Sequence, residues 1–364
     1  DHGDEGPGDQ NAVGPQGLLY LNGEMVQGLD VNHQEVLLTP GREYDAYLYF
    51  YTSPNEITAQ CRMELMWLDD AVDGLYYDLK VPLDAARCLD KGSDAYWRIL
   101  RGLERAVQLV DLRSPFSPAF YESVEAARTC LREEFVQKDC GREAPLVHCV
   151  GHTHIDVAWL WTLAQTREKV QRSFSTVLRL MEQYPEYRFM SSQPQLYQYV
   201  KEEAPELYRQ ILQRVKEGRW EVEGAMWLEA DCNLPSGESL VRQILHGKRF
   251  MQEEFGVDSH ILWLPDVFGY SAALPQILRK SGVDQFFTTK ISWNEYNKLP
   301  YDAFLWQGID GSEVFTCFGT ARDLPKPGEQ DTNTTYTGTT EPTMVAGARA
   351  RSQQKEYSDQ PPTP

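Results

Sequence analysis

The rhythm of apolar and polar positions changes twice along the chain, and each change marks a different architecture. From Leu18 to about Pro82 the apolar residues come in short runs: Leu18 to Leu21, Ala46 to Tyr51, Cys61 to Leu68 and Leu75 to Val81. Asn22-Gly23 follows the first run as a hairpin signal. This spacing predicts a β-sandwich-like module over 15–82. From Leu83 to about Lys138 a helical period takes over in two stretches, broken at Ser114–Pro118, where prolines end the first helix. It reads as a helical linker over 83–144. From Pro145 short apolar strands alternate with longer amphipathic stretches. Strands are expected at Leu146 to Val150, Arg188 to Met190, Trp220 to Val222, His260 to Leu264 and Gln285 to Thr288. Helices are expected at about 160–183, 194–217, 236–255 and 272–281. Such alternation predicts β-α units around a mostly parallel sheet, a partial α/β domain over 145–323. The Gly- and Asp-rich residues 1–14 are expected to be disordered, and the Thr-, Gly- and Pro-rich tail 324–364, which carries no core pattern, to be poorly ordered.

Composition narrows the class of partner more than the fold. At 364 residues and 41% hydrophobic content the chain can build a sizeable core, and two domains are the default expectation. A net charge of -19 with no basic patch argues against nucleic acid or an anionic membrane as partner. No apolar run approaches the ~20 residues of a membrane span. The seven cysteines are odd in number and show no Cys-x-x-Cys spacing, which favours a reducing, cytoplasmic setting over a disulfide framework. The chain begins at Asp1 without Met, so it reads as a fragment from which an upstream targeting signal could have been lost.

Candidate chemistry concentrates at the ends of the expected strands. In Gly151-His-Thr-His-Ile-Asp-Val-Ala-Trp159 the imidazoles and carboxylate of His152, His154 and Asp156 alternate behind an apolar run. In extended chain, side chains two apart share a side, so His154 and Asp156 can face one ion while Ile155 turns into the core. His152 reads as a supporting or structural residue. Asp156 taken alone reads as a helix N-cap; two histidines and an aspartate in five residues shift the reading to a metal site. A second strand end, Leu262-Trp-Leu-Pro-Asp-Val-Phe-Gly-Tyr-Ser271, puts Asp266 at the same crevice, although a turn residue after Pro265 is an equal reading. A third segment, Glu221 to Asn233, clusters Glu223, Glu229, Asp231 and Asn233, which would touch sugar hydroxyls or line a solvated loop.

The stretches GHTHIDVAWLW, EVEGAMWLEADCNLPSGESLVRQILHGKRFMQEEFG, LWLPDVFGYSAALPQIL and FFTTKISWNEYN resemble glycoside hydrolase family 38, the metal-dependent α-mannosidases, and its cytosolic branch most. They cover roughly 145–320, and LLYLNGEMVQGLDVNH resembles the family's N-terminal β module. The resemblance implies a Zn²⁺ ion, or another divalent ion such as Co²⁺, held by His154, Asp156 and Asp266. It implies Asp266 as nucleophile and Trp159 as the aromatic residue on which mannose packs. Lys290 falls where the family has a basic residue near the nucleophile, and Asp231 is placed among the substrate-binding residues. Trp293, Asn294 and Tyr296 shape the subsite or simply pack beside it. The implied reaction is retaining hydrolysis of terminal α-linked mannose from oligosaccharides through a covalent glycosyl intermediate.

Two expected parts are missing from the 364 residues. The family's fourth zinc ligand is a downstream histidine, and this chain has none after His260. Its general acid is expected in a Gly-rich stretch beyond Pro364. The chain alone is therefore expected to be inactive or nearly so, since losing a general acid costs about 10² to 10⁴ in rate. Two other readings stand beside this one: a non-catalytic carbohydrate-binding remnant, and a metal-dependent amide or ester hydrolase, which would need a further histidine ligand and a base. The expected partner is a mannose-containing oligosaccharide, with self-association left open.

Overall fold

The structure, a computed structural model, describes residues 16–30, 33–51, 62–138, 150–290, 301 and 303–318. The expected disorder of 1–14, the expected poor order of 324–364 and most of the expected strand Leu146 to Val150 lie outside these residues. The described chain divides into two units, one of 16–51 with 150–318 and one of 62–138.

The first unit opens with a hairpin of β1 (Gln16–Leu21) and β2 (Glu24–Leu29). Its turn is Asn22-Gly23, with φ of 54° and 79°, the left-handed pair that suits the twist of a two-residue hairpin. β3 (Ala46–Tyr51) pairs antiparallel with β1, giving the order β2-β1-β3. Asn22 secures the join, since its Oδ1 accepts from the Asp45 N–H at 2.8 Å. The sheet does not stand alone as a module. It lies on α4 (Leu163–Gln183), where the Gly28 N–H donates to Thr176 Oγ1 at 3.0 Å.

The expected β-rich module over 15–82 is too long. Residues 62–69 form no strand, and the run Leu75 to Val81 belongs to α1 (Asp70–Arg87). Leu-Tyr-Tyr-Asp-Leu-Lys-Val reads as alternation, and a strand would put Tyr77, Leu79 and Val81 on one face. Instead Leu75, Leu79 and Leu83, spaced by four, pack inward while Tyr77 and Val81 are exposed. Asp69 caps this helix, its carboxylate accepting from the Ala71 and Val72 N–H groups at 3.1 Å.

The second unit completes α1 with α2 (Asp94–Leu109), α3 (Pro118–Leu131) and a π-helical turn at Arg132–Val136. The expected two helical stretches are thus three helices. Pro118 starts α3 at its first turn, with Ser117 as N-cap. Leu75, Leu103, Ala106, Phe120, Val124, Ala127 and Leu131 form this unit's own core.

The rest of the first unit is the α/β part. β4 (Gly151–His152), β5 (Phe189–Ser191) and β6 (Trp220–Val222) form a parallel sheet in that order. β7 (Ile261–Trp263), β8 (Gln285–Thr288), β9 (Ala303–Gln307) and β10 (Glu313–Phe318) form a second sheet, ordered β7-β8-β10-β9. β7, β8 and β10 run parallel, but β9 and β10 make an antiparallel hairpin that the sequence pattern did not announce, so this sheet is mixed. The Ala225 N–H donates to the Ile261 carbonyl at 3.0 Å and ties the chain leaving β6 to β7. The expected helix over 194–217 is two, α5 (Pro194–Glu203) and α6 (Pro205–Lys216), because Pro205 disfavours helical backbone at Ala204. α7 (Gly237–Phe255) and α8 (Leu274–Lys280) follow as expected.

Aromatic rings fill the space behind the first sheet. Phe174, Phe189, Tyr197 and Trp220 are all fully buried and meet at centroid distances of 4.7 to 6.3 Å. Trp220 Nε1–H donates to Tyr197 O–H at 2.8 Å, which donates to the Ser191 carbonyl at 3.0 Å. No buried polar atom of that pair is left without a partner, as a low-dielectric interior requires. Leu262, Leu264, Leu274, Leu278 and Phe286 form the matching core beneath the second sheet.

Candidate metal centre

The segment after β4 sets His154, 9% exposed at its side chain, and the more open Asp156 on one side while Ile155, 4% exposed, turns into the core. Asp156 does not cap the following helix. That role falls to Thr162, whose side chain accepts from the Gln165 N–H in a reciprocal capping box. Asp266 arrives from the end of β7 in a turn held by Thr289, whose hydroxyl donates to the Pro265 carbonyl at 2.6 Å, and by Tyr270, whose hydroxyl donates to the Leu264 carbonyl at 3.0 Å.

These strand ends bring His154, Asp156 and Asp266 together. His154 Nε2 lies 3.2 Å from Asp156 Oδ1 and 3.3 Å from Asp266 Oδ2. One ligand atom from each residue lies within 4.8 Å of the others, and among the described residues this is the group so arranged. Four-coordinate zinc with nitrogen and oxygen ligands at about 2.0–2.2 Å sets its ligands roughly 3.3–3.6 Å apart. The two separations from Nε2 and the donor set, one imidazole nitrogen and two carboxylate oxygens, therefore suit a divalent ion of the zinc type.

Lys290, just beyond β8, puts Nζ 2.6 Å from Asp266 Oδ1. Burial holds this ammonium below its ordinary range, opposed by the charge of Asp156. Asp266 therefore turns one oxygen to a cation and the other to His154.

Sequence reasoning grouped Glu229 with three other polar residues and missed what distinguishes it. Its Oε2 lies 2.6 Å from His154 Nδ1, and both side chains are nearly buried. Oε1 of Glu229 accepts from the Ser192 hydroxyl at 2.8 Å. Gln193 ties the two segments together, its Nε2 donating to the Ile155 carbonyl at 2.9 Å and its Oε1 accepting from the Glu229 N–H at 3.2 Å. Burial by itself would lower the His154 pKa. The charge of Glu229 and the contacts with Asp156 and Glu229 outweigh it and raise the pKa to about 10. The only signal in the sequence was a glutamate beyond the end of a strand, which Glu223 and Asp231 shared.

His152 is held by the fold on both ring nitrogens. Nδ1 faces the Met190 carbonyl at 3.0 Å and Nε2 accepts from Trp263 Nε1–H at 3.3 Å, while burial lowers its pKa. This is the pattern of a neutral imidazole with its proton on Nδ1. Trp159 is 62% exposed and packs edge-on against Trp161 at 5.7 Å. Asp231 caps its own turn, accepting from the Asn233 and Leu234 N–H groups at 2.8 Å. Glu223 accepts from the Ser259 hydroxyl at 2.6 Å, a contact within the fold. Trp293, Asn294 and Tyr296 lie outside the described residues. Among the described residues no helix is long and apolar enough to cross a membrane.

Comparison with known proteins gives the family. Alpha-mannosidase G of Dictyostelium discoideum is 35% identical over 331 residues, 83% of this chain and 30% of that protein. Human alpha-mannosidase 2C1 is 36% identical over 326 residues, 83% of this chain and 31% of that protein. The chain thus spans under a third of the length of either relative. A solved alpha-mannosidase from Enterococcus faecalis V583 aligns with 46% of this chain and 19% of its own, at 24% identity and a TM-score of 0.42. Residues 144–361 match the glycosyl hydrolases family 38 N-terminal domain, more than half of the chain, so the chain belongs to glycoside hydrolase family 38.

Proposed function

We propose that this chain carries the metal-holding and nucleophilic part of a retaining α-mannosidase that removes terminal α-linked mannose from oligosaccharides. The observation that carries the reading is the meeting of His154, Asp156 and Asp266 beyond the ends of β4 and β7, with Lys290 on Asp266. His154, Asp156 and Asp266 would hold Zn²⁺, or Co²⁺ in its place, and the bound ion would act as a Lewis acid toward sugar hydroxyls.

In this reading Asp266 is the nucleophile, and the ammonium of Lys290, 2.6 Å from Oδ1, holds its carboxylate in place. The carboxylate attacks the anomeric carbon, the bond to the leaving oxygen breaks, and a glycosyl ester forms on Asp266 that water then hydrolyses. Trp159 would offer an exposed indole face for the apolar side of a mannose ring, and the exposed Asp231 a carboxylate for its hydroxyls. The proton for the leaving group comes from a residue outside the described set. The family's downstream histidine ligand is not among these 364 residues either. The chain by itself is therefore expected to turn over little substrate, and a cytoplasmic setting is in keeping with a sequence without Cys-x-x-Cys spacing.

An amide or ester hydrolase would need a second imidazole on the ion, and His152 is committed to Met190 and Trp263. The experiment is hydrolysis of an aryl α-mannoside by this chain and by a C-terminally longer form, with Zn²⁺ and with chelator. Chelator-sensitive activity in the longer form, lost in Asp266→Asn, is expected. Inactivity of the longer form in Zn²⁺ would sink the reading in favour of a carbohydrate-binding remnant.

A further inference from the structure

Three carboxylates surround the His154 imidazole, and only two of them belong to the proposed ligand set. The third, Glu229, sits on the opposite nitrogen: Oε2 is 2.6 Å from Nδ1, while Asp156 and Asp266 flank Nε2. We propose that Glu229 is a positioning residue, holding the His154 ring by Nδ1 so that Nε2 is the nitrogen offered between the two aspartates. The inference rests on the metal reading of the site.

Several features favour a built contact over chance proximity. The Glu229 side chain is 5% exposed and that of His154 9%, so neither can exchange the other for water. The second carboxylate oxygen is fixed by Ser192, and the Glu229 peptide N–H by the buried amide of Gln193. The same amide donates to the Ile155 carbonyl, one residue past His154, so one side chain sets the distance between the two segments. Chemically the pairing assigns the proton. An imidazole that binds a metal has one N–H, and a carboxylate acceptor at Nδ1 puts it there and leaves the lone pair on Nε2. Without that acceptor the ring is free to turn over about its bond to Cβ and present the wrong nitrogen. A carboxylate behind a ligating histidine also raises its basicity, and losing such a partner typically costs 10- to 100-fold in metal affinity.

The test uses the full 364-residue chain as wild type, Glu229→Gln, Glu229→Ala and His154→Ala. Zn²⁺ affinity is measured by competition with a chromogenic chelator, and the His154 ring N–H signals by NMR without metal. Expected are abolished binding in His154→Ala and about a 10- to 100-fold loss in Glu229→Ala. Glu229→Gln keeps the shape without the charge, and should lose affinity and move the Nδ1 proton upfield from its wild-type position. Unchanged affinity and an unmoved Nδ1 proton in Glu229→Gln would overturn the positioning role and leave the metal reading intact. Failure of the wild-type chain to bind Zn²⁺ would remove the metal reading instead. In that event the ring proton still decides whether Glu229 holds His154.

Discussion

Lys290 Nζ stands 2.6 Å from Asp266 Oδ1, with the lysine side chain 5% and the aspartate 18% exposed. The pair joins the end of β7 to the residue following β8, so it orients the proposed nucleophile and links two strand ends. Replacing Lys290 by Met leaves a largely buried carboxylate facing no ammonium. Breaking a buried pair costs about 3–5 kcal/mol, and partial exposure puts this case toward the low end. Denaturant unfolding of Lys290→Met should show a clear loss of stability, and the double variant Lys290→Met/Asp266→Asn should recover part of it. No recovery would mean that the lysine acts by packing alone.

Removal of metal gives an independent readout. A ligand that binds only the folded chain stabilises it by mass action, about 2.7 kcal/mol at a hundred times its Kd. Thermal unfolding of the wild-type chain should shift upward with Zn²⁺ and fall back with chelator, whereas His154→Ala and Asp156→Ala should show no shift. A shift of equal size in His154→Ala would place the ion elsewhere.

Lys169 makes stability depend on pH. Its ammonium donates to Gln16 Oε1 at 3.1 Å and lies 4.2 Å over the Trp161 ring. Burial, with Arg172 adding to it, lowers its pKa from 10.5 to about 8. Below about 8 both states carry the charge and the folded state bears its full burial cost. Between about 8 and 10.5 the folded chain releases a proton that the unfolded chain keeps, so stability rises with pH. The denaturation midpoint of the wild type should climb relative to that of Lys169→Met between these limits. Parallel curves for the two proteins would show that the lysine is not penalised.

Gly247, in the middle of α7, touches the chain just before Glu229. A Cβ there would lie 2.2 Å from the Ala225 carbonyl oxygen and 2.7 Å from the Trp227 nitrogen. Backbone cannot retreat as a side chain can, so Gly247→Ala should destabilise the chain by about 1–3 kcal/mol, the usual cost of overpacking, despite alanine's better helix propensity. Loss of Zn²⁺ affinity should accompany it, because the displaced segment carries Glu229. Stability equal to that of the wild type would show that α7 can move away freely.

Two of the three triad residues carry a local signal: the two-residue spacing of His154 and Asp156 behind a strand survives folding as a shared side of extended chain. Asp266 after Pro265 reads equally as a turn residue, and the family resemblance rather than its own neighbours joins it to the pair. Glu229 was not legible, because what separates it from Glu223 and Asp231 is a partner brought by another strand. The same limit explains the rest. Leu75 to Val81 satisfies a period of two and a period of four, and only the helical core chooses between them. Pro205 splits a run whose hydrophobic pattern reads straight through, and the hairpin of β9 and β10 finds its neighbour in β8 rather than in its own sequence.

Gln193 gives the site a property that its charged groups do not. Its amide bridges the main chain at Ile155 and Glu229 and uses none of the side chains that would meet metal or sugar. The frame of the site is thus written in peptide groups and can outlast the loss of its chemistry. On the proposed α-mannosidase reading, neutralising Asp266 should therefore leave a folded crevice that receives mannosides without cleaving them, usable as a bait for mannose-containing glycans.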